Sequence, residues 1–568
     1  MRPPIPLLPL LAAALAAVHA APPIPAPDLI LQNGAIYTVD AARSWVSALA
    51  IANGQIVFAG PDSGALALAG PHTKIIDLQS RMVLPGLHDS HVHLIQGGRA
   101  LILCNLSAAR TPAEAIEIAA GYAKAHPDLR WIVGSGWELP LFTNANPTKA
   151  ALDAAIPDRP GYLESSDGHS AWVNSRALAT AHITRDTRNP TRGRIERDSA
   201  GAPSGTLRES ATALVSGVIP PSTAAEYLAD LARGLHEANR FGIVSFQDAD
   251  ADDAALEAYS AADHAGQLTA RVVAAMHLDP AKDDSQVSEL AAKRTKYQGK
   301  LLRATSVKIF ADGVIEPGTA ALLSPYSGRL AGQNGSLNFE PARLNRLVTA
   351  LDREGFQVHI HAIGDRAVRV SLDAHEAAEK ALGRNDLRPH IAHLELIDPA
   401  DIPRFRQLNV VANFQGLWAW PDRYIKELTL PVLGPERSRR LYPIGSVERT
   451  GAMIAGGSDW PVSSLNPLDA IQVAVTRRGV EEPEGPAWIP EERASLATMI
   501  AAYTIGGAWV NHEEKLTGSL ETGKAADLVV LDQNLFAIRP EKIHITKVLL
   551  TLFDGKPVYS DGTLLPPN

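Results

Sequence analysis

The chain has 568 residues, 46% hydrophobic and 20% charged, with a net charge of −9 and a single cysteine, Cys104. That length exceeds what one ordinary core supports, so at least two domains are expected, and an acidic balance without a long basic block argues against nucleic acid or an anionic membrane as partner. One cysteine excludes an intrachain disulfide and a cysteine-rich zinc site, so any metal must be held by His, Asp, Glu or a modified Lys.

The N-terminus reads as a leader. Arg2 is followed by an apolar Leu/Ala-rich run over residues 7–18, and Val18-His19-Ala20 offers small residues for cleavage. The run is too short for a permanent membrane span. A signal peptide over 1–20 and a Pro-rich linker over 21–27 are therefore expected. Export follows, to a periplasm, with no membrane attachment after cleavage.

Residues 28–84 read as short strands joined by tight turns. Leu29-Ile30-Leu31 precedes Asn33-Gly34, and Ile56-Val57-Phe58 follows Asn53-Gly54. Residues 511–568 look alike, with Leu528-Val529-Val530-Leu531 and a second apolar run before Asp554-Gly555. Neither end can bury a core alone. Pairing of the two into one small composite β-sandwich domain is the economical expectation.

Between them, over 85–510, apolar strands alternate with helix-like stretches, the pattern of a parallel α/β barrel. Candidate strands are 83–93, 131–134, 242–247, 271–276, 306–311, 357–361, 389–393, 410–414 and 453–457. Residues from about 105 to 215 are too many for one strand-to-helix connection. They read as an insertion covering the barrel mouth.

Chemistry-bearing residues sit at the ends of these strands, where barrel enzymes place their sites. Side chains alternate along a strand, so His91 and His93 in His88-Asp89-Ser90-His91-Val92-His93 share a face and can grip one ion. Downstream come Lys308 in Val307-Lys308-Ile309, His361 in His359-Ile360-His361-Ala362, His393 in Ala392-His393-Leu394, and Asp459 in Ser458-Asp459-Trp460. Each has a structural alternative. A strand histidine can be a hydrogen-bonded core residue, Lys308 can pair with Asp312, and Asp459 can cap a helix. Asp89 is placed to orient a ligand from behind.

The order His-x-His, Lys, His, His, Asp resembles the amidohydrolase superfamily of metal-dependent hydrolases. It is closest to the branch that includes N-substituted formamide deformylases. The resemblance extends to Gly518-Ser519-Leu520-Glu521-Thr522-Gly523-Lys524-Ala525-Ala526-Asp527 near the C-terminus and to Ser166-Asp167-Gly168-His169-Ser170-Ala171-Trp172-Val173-Asn174 in the insertion. It implies a distorted (β/α)8 TIM barrel holding one or two divalent ions, zinc before others. His91 and His93 match the ligands of the more buried ion, and His361 and His393 match those of the second. Lys308 matches a lysine that is carboxylated in many relatives and bridges two ions. Asp459 matches an aspartate that ligates metal and moves protons, so Asp459 and Lys308 are the expected catalytic residues. His169, Trp172 and Asn174 are candidate substrate contacts, with loop packing as the alternative. Where the branch often has Glu before the strand-six histidine, this chain has Ala392, with Glu395 three residues later.

The implied reaction is hydrolysis of a non-peptide or small amide C–N bond in a small-molecule substrate. A metal lowers the pKa of bound water so that hydroxide can attack, and Asp459 takes the proton and returns it to the leaving nitrogen. The same site could open lactones, other esters or phosphotriesters, which is the alternative reading. A purely binding role would require lost ligands, and none is found. The superfamily's habit of dimerising makes a homodimer an expectation.

Overall fold

Eight parallel strands, paired in chain order, form the centre of the computed structural model, which describes residues 25–566. They are β1 (Leu87–Val92), β2 (Ile243–Ala251), β3 (Arg271–His277), β4 (Leu302–Phe310), β5 (Gln357–Ala362), β6 (His390–His393), β7 (Val411–Phe414) and β8 (Ile454–Gly456). Helices such as Ala224–Arg240, Asp253–His264 and Asp365–Leu382 follow or precede each strand on the outside. This is a distorted (β/α)8 barrel. No ladder joins β1 to β8. Instead the Asp459 N–H donates to the His91 carbonyl at 2.8 Å and the His93 N–H to the Trp460 carbonyl at 2.9 Å. The last strand's loop is thereby tied to the end of the first.

Period-two alternation sorts the strand residues. Val272, Val307, Ile309, Val358, Ile360 and Ile391 are fully buried in the apolar layer shared with the helices. The opposite faces carry Gln247, Lys308, His359, His390 and Asn413, also buried. Barrel interiors are ordinarily filled by branched aliphatic side chains. Here much of that volume is polar, and polar groups this deep are kept only where they are paired or functional.

The candidate strand at 131–134 is not a barrel strand. Ile132–Trp137 belongs to a separate mixed sheet ordered Gly193–Arg197, Pro203–Glu209, Ser170–Val173, Gly161–Ser165, Ile132–Trp137, Cys104–Asn105. A short apolar run fixes that a strand forms, not which sheet receives it. This inserted unit has its own cores, one around Trp137, Leu152 and Trp172 and another around Val173, Ile195 and Leu207.

Both chain ends meet in one six-stranded sheet ordered Lys556–Ser560, Val548–Phe553, Leu528–Leu531, Met82–Pro85, Ala35–Tyr37, Trp45–Val46. It shares an apolar core with a four-stranded N-terminal sheet through Leu31, Ile36, Val83, Leu528 and Leu550. Asn33 and Asn53 adopt left-handed φ of 54° and 51°, which asparagine tolerates and tight turns require. Arg271, at the start of β3, reaches Asp527 at 3.0 Å and Asp554 at 2.5 Å, pinning this unit beneath the barrel. The expected signal peptide and residues 21–24 of the linker lie outside the described residues. No helix among the described residues is long and apolar enough to cross a membrane.

Candidate metal centre

The end of β1 and the loop after β8 approach closely because Gly457 has no side chain. A Cβ there would lie 2.6 Å from His91 Cβ and 2.9 Å from the His91 nitrogen. Asp459 follows two residues later with φ of 56°, and His393 ends β6 with φ of 78°. Non-glycine residues held in the left-handed region cost about 1–3 kcal/mol each and persist where the surroundings over-determine them. Both of these turn their side chains toward each other.

Asp459 Oδ1 is 3.1 Å from His93 Nε2 and 3.4 Å from His91 Nε2. One donor atom from each of these three residues lies within 4.8 Å of the others. Lys308 Nζ stands 3.4 Å from His91 Nε2. His393 Nδ1 is 3.9 Å from Asp459 Oδ2, and the His393 ring lies 4.7 Å from that of His91 and 4.4 Å from that of His361. His361 packs against His393 while its Nε2 lies 3.2 Å from the Gly313 carbonyl. All six residues predicted from sequence therefore lie in one cluster, with His91, His93 and Asp459 as its tightest group.

Burial shapes the charges. The His91 imidazole is pushed down to about 3 and stays neutral, as a ligand must. The Lys308 amine is lowered to about 8, burial outweighing the carboxylates of Asp459, Asp250 and Asp248. Burial would raise the Asp459 carboxyl, but the His91 and His93 imidazoles outweigh it and hold it well below the usual carboxylate range. Lys308 does not pair with Asp312, whose oxygens accept the N–H groups of Ala321, Ile363 and Gly364. Asp459 caps no helix. Asp89 does not touch the imidazoles; its Oδ1 accepts the N–H groups of His91 at 3.1 Å and Ser458 at 3.0 Å, bracing the same junction.

The donor set fits a divalent cation. Asp459 Oδ1 and His393 Nδ1 are buried with no hydrogen-bond partner among the described residues. A cation between them would satisfy both, and neutral imidazoles with a carboxylate are the ligands zinc favours.

The insertion contributes one of its three candidates. His169 Nδ1 is 2.9 Å from Glu209 Oε2, Glu209 Oε1 accepts from the Thr319 hydroxyl at 2.8 Å, and the His169 ring sits 6.1 Å from that of His361. Burial would lower the His169 imidazole, but Glu209 more than offsets this and it is pushed up to about 10. Trp172 and Asn174 follow the packing alternative. Trp172 is fully buried in the insertion's core with its Nε1 donating to the Thr148 carbonyl. Asn174 caps the helix Ser175–Thr180 through the Ala177 N–H and donates to the carbonyls of Ile156 and Arg159. Their polar atoms are spent on the scaffold. Sequence reading missed Trp418, whose ring stacks on His393 at 5.6 Å and 2°. It also missed Glu209 as the partner of His169. The segment around Trp418 has no periodic signal that would have placed it.

A family profile described as "Amidohydrolase family" matches residues 74–559. Protein LONG AFTER FAR-RED 3 of Arabidopsis thaliana is 30% identical over 545 residues, covering 94% of this chain and 91% of that protein. The N-substituted formamide deformylase of Arthrobacter pascens is 26% identical over 540 residues, covering 93% and 97%. The crystal structure of an uncharacterized metal-dependent hydrolase from Pyrococcus horikoshii OT3 matches with a TM-score of 0.72 at 25% identity, covering 90% of this chain and 99% of that one.

Proposed function

The chain belongs to the amidohydrolase family, and from that premise we propose that it is a metal-dependent hydrolase of small, non-peptide amides. The observation that carries this is the convergence of His91, His93 and Asp459 on one point, with the buried Asp459 Oδ1 left without a hydrogen-bond partner among the described residues. When bound, a divalent ion supplies Lewis acidity, acidifying water and polarising a carbonyl oxygen. His91, His93, His393, His361 and Asp459 are the side chains that would hold it, with zinc the ion the donors favour.

Asp459 is the proton carrier. It is ionised, buried and fixed by its backbone, so it can take a proton from the attacking water and deliver it to the departing nitrogen. Without that delivery the nitrogen would have to leave as an amide anion. Lys308 cannot ligate as an ammonium. With its amine lowered to about 8, a usable neutral fraction exists near pH 7, the form that adds carbon dioxide and becomes a carboxylate donor. His169, locked by Glu209, keeps its Nε2 for the substrate and donates to the acyl oxygen. Trp418 supplies a flat apolar wall beside His393.

The amide preference is supported by the formamide-cleaving activity named for the Arthrobacter relative. It is tested by assaying the zinc-loaded protein on matched N-formyl, N-acetyl and anilide amides beside the corresponding esters. Amide turnover that disappears in D459N supports the reading. Ester turnover with no detectable amide turnover contradicts it.

A further inference from the structure

Beneath His91 lies a buried polar layer that the proposed chemistry does not use. His359 Nε2 is 2.9 Å from His91 Nδ1, on the side of the ring away from Asp459. The His359 ring packs on that of His390 at 3.9 Å. His91, His359 and His390 are fully buried.

The proton positions in this layer follow from its outer rim. Gln357 Nε2 donates to the carbonyls of Arg388 at 2.9 Å and Val510 at 2.7 Å. Its Oε1 is therefore the atom that accepts from Gln247 Nε2 at 2.8 Å. That leaves Gln247 Oε1 facing His390 Nε2 at 2.6 Å, so His390 Nε2 carries a proton. His390 Nδ1 then holds the lone pair and accepts from Asn413 Nδ2 at 3.2 Å, an amide that also donates to the Ser90 carbonyl at 2.9 Å. His390 is thus a neutral imidazole with both nitrogens engaged.

His91 is constrained from the other side. To ligate through Nε2, it must carry its proton on Nδ1, where the only partner among the described residues is His359 Nε2. His359 must then be bare at Nε2 and protonated at Nδ1, an atom with no hydrogen-bond partner among the described residues. An orphaned buried N–H is costly, and a stable core would not retain it without a use. If His359 were instead protonated at Nε2, it would drive the His91 proton onto the nitrogen that faces Asp459.

We propose that His359 is a positioning residue: its Nε2 accepts the His91 Nδ1 proton and so holds His91 in the tautomer able to ligate metal. This rests on the metal centre proposed above. The acceptor behind a metal-bound histidine is commonly a carboxylate, a carbonyl or water. An imidazole does the same while adding no negative charge beneath the ion, and the packed His390 ring keeps it from turning away.

The test uses two substitutions of nearly equal shape. His359→Gln keeps an oxygen acceptor, whereas His359→Met replaces it with a thioether that accepts weakly at best. Zinc dissociation constants by chelator competition and thermal unfolding of the metal-free proteins are measured on full-length wild type and both variants. H359Q should bind within about threefold of wild type and H359M about 10–100-fold more weakly, with metal-free unfolding close to wild type in both. Equal weakening by both variants overturns the proposal, as does wild-type affinity in folded H359M. Neutron diffraction of zinc-loaded wild type needs no variant to fold: a deuteron on His359 Nδ1 supports the assignment, and one on Nε2 overturns it. Wild type that binds no zinc removes the metal centre, and this role with it. Tight wild-type binding left intact in H359M removes only the role of His359.

Discussion

Asp459 combines three properties that single residues seldom share: a left-handed backbone, a buried carboxylate and an oxygen without a hydrogen-bond partner among the described residues. Replacing it with Asn keeps the shape but removes the proton acceptor. At saturating zinc, D459N should lose about 10²–10⁴ in kcat/KM; a loss below tenfold would assign proton transfer elsewhere. Gly457→Ala should act through geometry, because the added Cβ lands 2.6 Å from His91 Cβ. Zinc affinity should fall by roughly tenfold or more, and unchanged affinity would show that the junction yields freely. The pairing of His91 with His93 was legible at this scale because alternation along a strand is a local property, while the other members of the cluster came from the resemblance to a family. Depth was not. His359 and His361 share a face, but only pairing with β4, which sets His359 beside Lys308 and His361 beside Phe310, puts one below the centre and the other at its rim. Trp172 and Asn174 show the opposite limit: a segment resembling a site can spend its polar atoms on its own fold.

At the scale of elements, the helix Asp365–Leu382 buries His375, with neither ring nitrogen partnered among the described residues. Burial pushes its imidazole down to about 4, against about 6.5 in an unfolded chain. Between those values the unfolded state binds the extra proton, so stability falls as pH drops from 6.5 toward 4 and is unaffected above 6.5. The loss reaches about 3 kcal/mol. His375→Leu should flatten the acid side of the metal-free stability profile over that window, and an identical profile would contradict it. A second element-scale prediction concerns β3. Arg271→Met leaves Asp527 buried without its cation, which costs about 3–5 kcal/mol. Hydrogen exchange should show the terminal sheets opening first in R271M; uniform protection would mean the pairing is incidental. Strand existence and type were readable from apolar periodicity and turn residues. Sheet membership was not, as Ile132–Trp137 shows, because nothing in a six-residue run encodes its lateral neighbours.

For the whole molecule, the terminal sheets, the barrel and the inserted sheet divide the work. The ends are joined because neither could bury a core alone, a deficit visible in their lengths. The insertion reaches the barrel mouth through the Glu209–Thr319 contact and the Tyr424 hydroxyl, which donates to Asp167 at 2.7 Å. Such pairings between distant segments cannot be read from either segment. The leader predicts export. Expressed with residues 1–20 in a secreting host, the mature protein should begin at Ala21 by intact mass, and a retained leader would contradict that reading. The most direct test of the central claim is the metal content of the purified protein, measured alongside amide hydrolysis as zinc is returned to chelator-stripped enzyme. Activity should be lost on stripping and rise with bound zinc to a plateau at one or two equivalents per chain, and H91A H93A should show neither binding nor activity. Full amide hydrolysis by protein with no bound metal would contradict it.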